Sequence, residues 1–444
     1  MTSAGVWSKA RNAFDGLAQD TLWSATHDLL QLVTSLTSFI LLSSVLPLAT
    51  YGAYVGLYGL LGTFGALSYS GIGLAALQRL IGEGDDSNRS LRSFLTLGVM
   101  LGGLVALVAT MAGGLTLSLA LVEIAALAVV ELVAVAVILL STNLIQAASG
   151  FAAATKVQIP VPVFRLGVVT GLYSVGQLSI ANLVAGLLAT MGAYAVVVLL
   201  VILPRHGFVV ELGRPGSTAL KSSAMFAIPM GASRLQTDGD KWLLNAFGFE
   251  AQAGLYGAAY RVIMLGTLPL LALDRAAFQR FLPRDEGQPG VHWQRATRMG
   301  LLMVGSSIVV ALIMWAALPL IINLILHDEQ YKPAAAIVPW LLPLIPLIAT
   351  SNSPMNGLLG LGRVQQRMSI YLAAAVVSVS LYLILIPRMG WRGAAVATFI
   401  SEVFLSTLSW SALWLYQRRA DDAHARLQPS RSITDEFQLL PDVS

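Results

Sequence analysis

The stretch LKSSAMFAIPMGASRLQTDGDKWLLNAFGFEAQAGLYGAAYRVIMLGTLPLLALDR, Leu220 to Arg275, decides how the rest of the chain is read. It reads as two apolar spans, 221–247 and 251–275, joined by a tight turn at Gly248-Phe249-Glu250. The first span carries Arg234, Asp238, Asp240 and Lys241, and the second carries Arg261. A charge near the bilayer centre costs about 2.5–3.5 kcal/mol even on the gentlest insertion scale. These charges must therefore face one another or a watery cavity. Arg234, Asp238 and Lys241 fall at i, i+4 and i+7 and share one helical face. At about 1.5 Å per residue, Arg234 lies about 18 Å from the cytoplasmic end of its span. Arg261 lies about 15 Å from the outer end of its own. Both depths fall near the middle of a hydrocarbon core about 30 Å thick. The pattern predicts a binding cavity around Arg234, Asp238, Lys241 and Arg261. A buried ion pair that only pins two helices is the alternative.

Composition points the same way. Of 444 residues, 56% are apolar and only 11% charged, with a mean hydropathy of +0.74. Soluble domains carry about 25% charged residues. The fold class is therefore all-α and polytopic in a membrane. There is no Cys, so disulfides and Cys-based metal sites are excluded.

In chain order, residues 1–26 lack the apolar core of a signal peptide. Val6, Trp7, Ala10, Phe14 and Leu17 share a helical face, which fits an interfacial amphipathic helix or a frayed terminus. About twelve apolar spans follow, at 27–47, 53–79, 91–114, 121–148, 157–177, 180–203, 221–247, 251–275, 296–321, 334–359, 367–387 and 392–416. Each is long enough to cross with some tilt. Loops on the N-terminal side carry Arg79, Arg89, Arg92, Lys156, Arg165, Arg205, Arg214, Lys221 and further arginines, against only Lys332, Arg388 and Arg392 opposite. Positive-inside then places both termini in the cytoplasm. The tail, 417–444, is polar and aperiodic, as in a disordered segment.

A linker at 204–220, containing Gly213-Arg-Pro-Gly216, divides the chain into an N-lobe, 27–203, and a C-lobe, 221–416. Gly52-Ala-Tyr54 and Tyr58 correspond to Gly254-Leu-Tyr256 and Tyr260 at a constant offset of 202. Ala75-Ala-Leu-Gln-Arg79 matches Ala276-Ala-Phe-Gln-Arg280 at an offset of 201. Both matches fall on the second helix of each half, as duplication of a six-helix unit requires. The copies share one membrane orientation, so the expected architecture is two six-helix lobes related by a parallel pseudo-two-fold repeat around a central cavity.

Tyr51-Gly-Ala-Tyr54 through Gly71-Ile-Gly73 and Arg79, with Asp240-Lys-Trp-Leu-Leu-Asn245 and Gly254-Leu-Tyr-Gly-Ala-Ala-Tyr-Arg261, resembles a known family. Ile386-Pro-Arg-Met-Gly390-Trp-Arg-Gly393-Ala-Ala-Val-Ala-Thr398 completes the resemblance. The family is the Wzx-type polysaccharide flippases, in the MATE-like multidrug/oligosaccharidyl-lipid/polysaccharide exporter superfamily. The resemblance implies a flippase that moves undecaprenyl-pyrophosphate-linked oligosaccharide across a bacterial inner membrane. It also implies work beside polysaccharide polymerase and export machinery, with no cofactor. A cationic cavity, typical of that family, fits Arg234, Lys241 and Arg261. Arg supplies a planar fork for phosphate oxygens and Lys a point charge. Tyr256 and Tyr260 either stack on sugar rings there or pack in the core.

Other buried polar groups carry less specific signals. Glu131 and Glu402 sit unpaired within apolar spans, as ion-coupling sites or packing hydrogen bonds. Pro339, Pro343, Pro346 and Pro354 make the tenth span a hinge or a fixed bend. Gly71-Ile-Gly73-Leu-Ala-Ala76 imitates a dinucleotide fingerprint, but no strand precedes it. The five histidines are dispersed, with no metal-binding spacing, and nothing marks a nucleic-acid surface. Two rivals remain. A multidrug or cation antiporter of the same fold typically has a carboxylate in its N-lobe cavity, and the first two spans offer only Asp28 at an edge. A membrane glycan polymerase or ligase is expected to carry a large outer loop. The longest outer loop here lies near 327–333.

Overall fold

A computed structural model describes residues 23, 26–80, 87–211, 213, 216–278, 290–325 and 328–427. Among these residues the secondary structure is helical, with no strand. The helices are α1 (26–43), α2 (Leu48–Gln78), α3 (Ser87–Thr116) and α4 (Leu121–Ser149). The chain continues through α5, a near-continuous pair Phe151–Gln158 and Pro160–Ser174, then α6 (Ile180–Arg205) and α7 (Ser217–Ala246). The remainder are α8 (Glu250–Phe278), α9 (Val291–Ala316), α10 (Leu318–Ile325), α11 (Leu344–Gly360), α12 (Val364–Met389) and α13 (Trp391–Leu427). A tight arm, Glu329–Leu341, precedes α11.

Length and apolarity fit α2, α3, α4, α6, α9, α12 and α13 to cross a bilayer, seven helices among the described residues. The arm and α11 make an eighth if the pair is one span, bent by 45°. Pro343 sits at that break, where its ring removes a backbone donor. Helix α7 is too polar to be among them, because Arg234, Asp238, Asp240 and Lys241 fall within two turns. Three of the helices contain an internal π turn, at Ala66–Ser70 in α2, Val130–Ala134 in α4 and Val198–Ile202 in α6. Such turns recur at functional sites because they rotate side chains out of the regular helical register.

Two expectations are corrected. The ninth span begins at Val291 rather than 296 and stops at Ala316. The tail does not lose structure at 417: α13 runs on to Leu427. Its helical formers are held by Gln417 Nε2 donating to Asp421 Oδ1 at 2.8 Å and by Arg418 over the Trp414 ring at 4.0 Å, both one turn apart. Residues 1–22, most of the predicted amphipathic segment, lie outside the described residues, as does the tail beyond 427.

Helix α2 is the hub, packing along α7 and against α8. Small residues make the contact possible. A Cβ on Gly52 would meet the Glu250 carbonyl oxygen at 1.9 Å, one on Gly59 the Asp238 oxygen at 2.5 Å, and one on Gly71 the Ala227 backbone at 2.4 Å. The residues matched by the 202-residue offset meet each other: a Cβ on Gly52 would lie 2.9 Å from Gly254 N. Their tyrosines repeat one geometry. Tyr54 and Tyr58 have centroids 4.9 Å apart at 64°, and Tyr256 and Tyr260 have theirs 5.0 Å apart at 60°.

One main core cluster is built almost wholly from residues 39–219, and two others from residues 243–413. The arm bridges between them. The Gln330 amide is used up by the α1–α2 turn, accepting from Leu48 N at 3.1 Å and donating to the Ser43 and Leu46 carbonyls at 3.4 and 3.3 Å. Buried Tyr331 stands edge-on to Phe39 and Tyr51.

Candidate functional site

A cavity of about 340 Å³ lies among α1, α2, α4, α5 and α6, and Arg261 enters it from α8. That volume is within the usual range for small-molecule sites, about 300–1,000 Å³. One wall is the tyrosine face of α2: Tyr51, Tyr54 and Tyr58, with Tyr69 from its π turn. Opposite are Thr34, Ser35 and Ser38 of α1. The π turn of α4 points Glu131 inward. Arg165 Nη2 on α5 donates to both oxygens of that carboxylate, at 2.8 and 2.7 Å. The pair is neutral as a unit. Arg261 Nη1 donates to Ser35 Oγ. Among the described residues no carboxylate pairs with Arg261. The buried Tyr51 hydroxyl stands beside Arg261 and, among the described residues, meets no partner in hydrogen-bonding geometry. The cavity therefore offers one uncompensated guanidinium, an unused hydroxyl and an aromatic wall, an arrangement that can hold an anionic group beside a ring.

The predicted cationic cluster is divided by the fold. Arg261 belongs to this cavity, and Lys241 does not line it. Lys241 Nζ contacts Asp240 Oδ1 at 3.0 Å, Asp238 Oδ1 at 3.3 Å and the Thr237 carbonyl at 2.9 Å, and lies 4.0 Å over the Tyr260 ring. Two carboxylates neutralise it, so it adds no free positive charge. Arg234 is 3.6 Å from Asp238 Oδ2 and its side chain is 63% exposed. Asp238 thus stands between Arg234 and Lys241 on the shared face. Tyr256 is fully buried against Tyr260 and beside Asp240, and lies in the core rather than on the cavity wall.

Glu131, which reads from sequence as unpaired, is held by Arg165. That arginine, expected in a loop, is inside α5. Pro160 and Pro162 with nearby Lys156 resemble a loop, yet Pro is tolerated in a helix's first turn. Glu402 accepts from Gln236 Nε2 at 3.1 Å through Oε1, while its Oε2 has no partner among the described residues. The absence of a carboxylate from the first two spans is a poor guide, because Glu131 enters the cavity from α4. Sequence reasoning gives no cavity role to Tyr51, Tyr54, Tyr58, Tyr69, Ser35 or Arg165. Their available signal is a run of tyrosines at helical spacing, 51, 54 and 58, on one α2 face. Among the described residues no group of three His, Cys, Asp or Glu could hold a metal.

No family model matches the chain, and no curated protein matches it. Solved structures do. The inward-facing conformation of a multidrug resistance MATE family transporter of the MOP superfamily is 16% identical, with a TM-score of 0.63, over 90% of this chain and 96% of that one. The MATE multidrug transporter DinF-BH, solved as a complex, is 13% identical with a TM-score of 0.65, over 92% and 96%. A MOP superfamily transporter from Pyrococcus furiosus, described as having a binding pocket of reverse polarity that suggests a different function, is 15% identical with a TM-score of 0.59, over 92% and 96%. At this identity the likeness concerns the fold, and the chain has the multi-pass helical fold of MATE transporters of the MOP superfamily.

Proposed function

We propose that this chain is a membrane transporter whose cargo carries an anionic phosphate group, namely a flippase for a pyrophosphate-linked oligosaccharide lipid. One observation carries the reading: Arg261 reaches into an otherwise neutral, tyrosine-walled cavity and has no carboxylate to neutralise it. Guanidinium forks bind phosphate oxygens bidentately, and aromatic faces suit sugar rings. The cavity has room for the pyrophosphate and the adjoining sugar, with the lipid tail in the bilayer. The full architecture in this reading is two six-helix lobes, 27–203 and 221–416, with both termini in the cytoplasm of a bacterial cell and polysaccharide-assembly enzymes as partners. The facing Gly52 and Gly254 and the matched tyrosine pairs support the repeat.

A multidrug exporter is the second reading, favoured by Glu131 in the cavity and by the shared fold. Against it, Arg165 occupies both Glu131 oxygens, which leaves a cationic drug no free anion. The deciding experiment reconstitutes the protein in vesicles. It compares translocation of a fluorescent pyrophosphoryl-lipid sugar with efflux of a cationic dye. Lipid movement lost in Arg261→Ala supports the flippase. Dye efflux that persists in Arg261→Ala and fails in Glu131→Gln supports the exporter.

A further inference from the structure

Away from the cavity, the flanks of α9 and α13 form a recess of about 490 Å³ lined by Trp293, Trp410, Ser411, Trp414 and Leu415. Trp293 and Trp410 meet edge to face, 5.4 Å between centroids at 81°. Trp410 Nε1 donates to the Thr350 carbonyl at 2.9 Å, which fixes the indole. Trp414 is 44% exposed, and the Arg418 guanidinium lies over its ring at 4.0 Å.

Depth gives the recess its meaning. Helix α13 is apolar up to Tyr416 and turns charged at Arg418 and Arg419, which marks where it leaves the hydrocarbon. At about 1.5 Å per residue, Trp414 and Trp410 lie about 6 and 12 Å below Arg418. Indoles favour that interfacial zone, but scattered belt tryptophans do not enclose a recess. Here three of them line one shallow, open recess, with the Arg418 cation over the outermost ring. Arg419, next in sequence, is exposed and lies 5.7 Å over the Tyr416 ring. The neighbouring acid Asp421 is engaged, accepting from Gln417 Nε2 and from Gly290 N at 2.9 Å, and Asp422 sits one turn beyond Arg418 on the solvent side.

We propose that this recess binds an anionic phospholipid of the surrounding leaflet. Its phosphate rests on Arg418, and the upper part of one acyl chain lies between Trp293, Trp410 and Trp414. A zwitterionic lipid meets the same indoles but has no net charge for the arginines to attract, which gives the site its selectivity. This site is independent of what the central cavity carries.

Lipids with brominated acyl chains quench tryptophan on contact, which makes the recess its own reporter. The full chain in phosphatidylcholine nanodiscs receives a small fraction of brominated phosphatidylglycerol or brominated phosphatidylcholine. Trp315 and Trp340, 63% and 49% exposed and outside the recess, are expected to respond equally to both and set the baseline. The expected result is excess quenching by phosphatidylglycerol, reversed by unlabelled phosphatidylglycerol and not by glycerol phosphate. In Arg418→Ala the apparent affinity behind that excess should fall about fivefold. In Trp414→Phe the amplitude of the excess should fall. Equal quenching by the two lipids, or an excess unchanged by Arg418→Ala in protein with the same helical circular dichroism, overturns the proposal. Should Arg418→Ala not fold, competition by unlabelled lipid in the unaltered chain decides alone: no reversal refutes the site.

Discussion

Removing the guanidinium of Arg261 leaves Ser35 and the Tyr51 hydroxyl facing a cavity with no net positive charge. A hydrogen bond to a charged group contributes about 1.5–3 kcal/mol, so Arg261→Ala should weaken binding of the pyrophosphoryl lipid about 10- to 150-fold. Arg261→Lys keeps the charge but loses the fork, and its affinity should fall between the two. Titration of detergent-purified protein with the lipid measures both. Arg165 is a different case, because its loss strands Glu131. Truncating one partner of a buried ion pair costs about 3–5 kcal/mol. Arg165→Ala should therefore lower the melting temperature markedly, and adding Glu131→Gln should restore most of it. Thermal unfolding of the single and double variants tests the coupling. The sequence makes five charges within its apolar runs conspicuous, and their spacing along each helix is legible from helical rise. Their partners are not. Spacing on one helix shows that Asp238 can reach Arg234 and Lys241; it cannot show that Arg261 turns toward Ser35 on α1.

At the scale of the helix, the contacts of α2 rest on absent side chains. A Cβ on Gly254 would lie 2.6 Å from the Leu48 carbonyl oxygen. Gly254→Leu should thus push α8 off α2, and overpacking of this kind costs typically about 1–3 kcal/mol. Gly103→Ala, with nothing within 4 Å of its Cβ, should leave stability unchanged. Melting curves of the two variants compare a tight contact with an open one. Hydrophobic runs foretell several of the candidate spans closely: 121–148 corresponds to Leu121–Ser149, and 180–203 to Ile180–Arg205. The π turns leave no comparable trace, since one extra residue per turn barely alters an apolar run. Yet those at Ala66–Ser70 and Val130–Ala134 aim Tyr69 and Glu131 into the cavity. Charge alone misleads at the tail, where Gln417, Asp421 and Arg418 extend the helix through one-turn contacts.

For the whole molecule, the absence of cysteine provides a clean background in which introduced thiols report conformation. Gln330 fastens the arm to the α1–α2 turn, and if access alternates by parting the arm from α1 and α2, that contact opens once per cycle. Ser43→Cys with Gln330→Cys, bridged by a short bis-thiol reagent, should arrest translocation, with recovery after cleavage of a reducible linker. Translocation that continues in fully bridged protein would show that the arm moves as one body with α1 and α2. Thiols placed at Ala420 and in the linker near Gly213 should both label from the cytoplasmic side, checked with an impermeant reagent on sealed vesicles. Arg261 gives the site a further property. The pocket walls come from the first half of the chain and their unpaired cation from the second, so the full constellation exists only while the halves are joined around it. A ligand that needs both therefore acts as a coincidence detector: occupancy and closure are linked variables, each raising the other. Ligand present at about 100 times its Kd adds about 2.7 kcal/mol to the assembled state. On the proposed flippase reading, cargo would then set the timing of its own passage, holding the joint shut until its phosphate leaves Arg261.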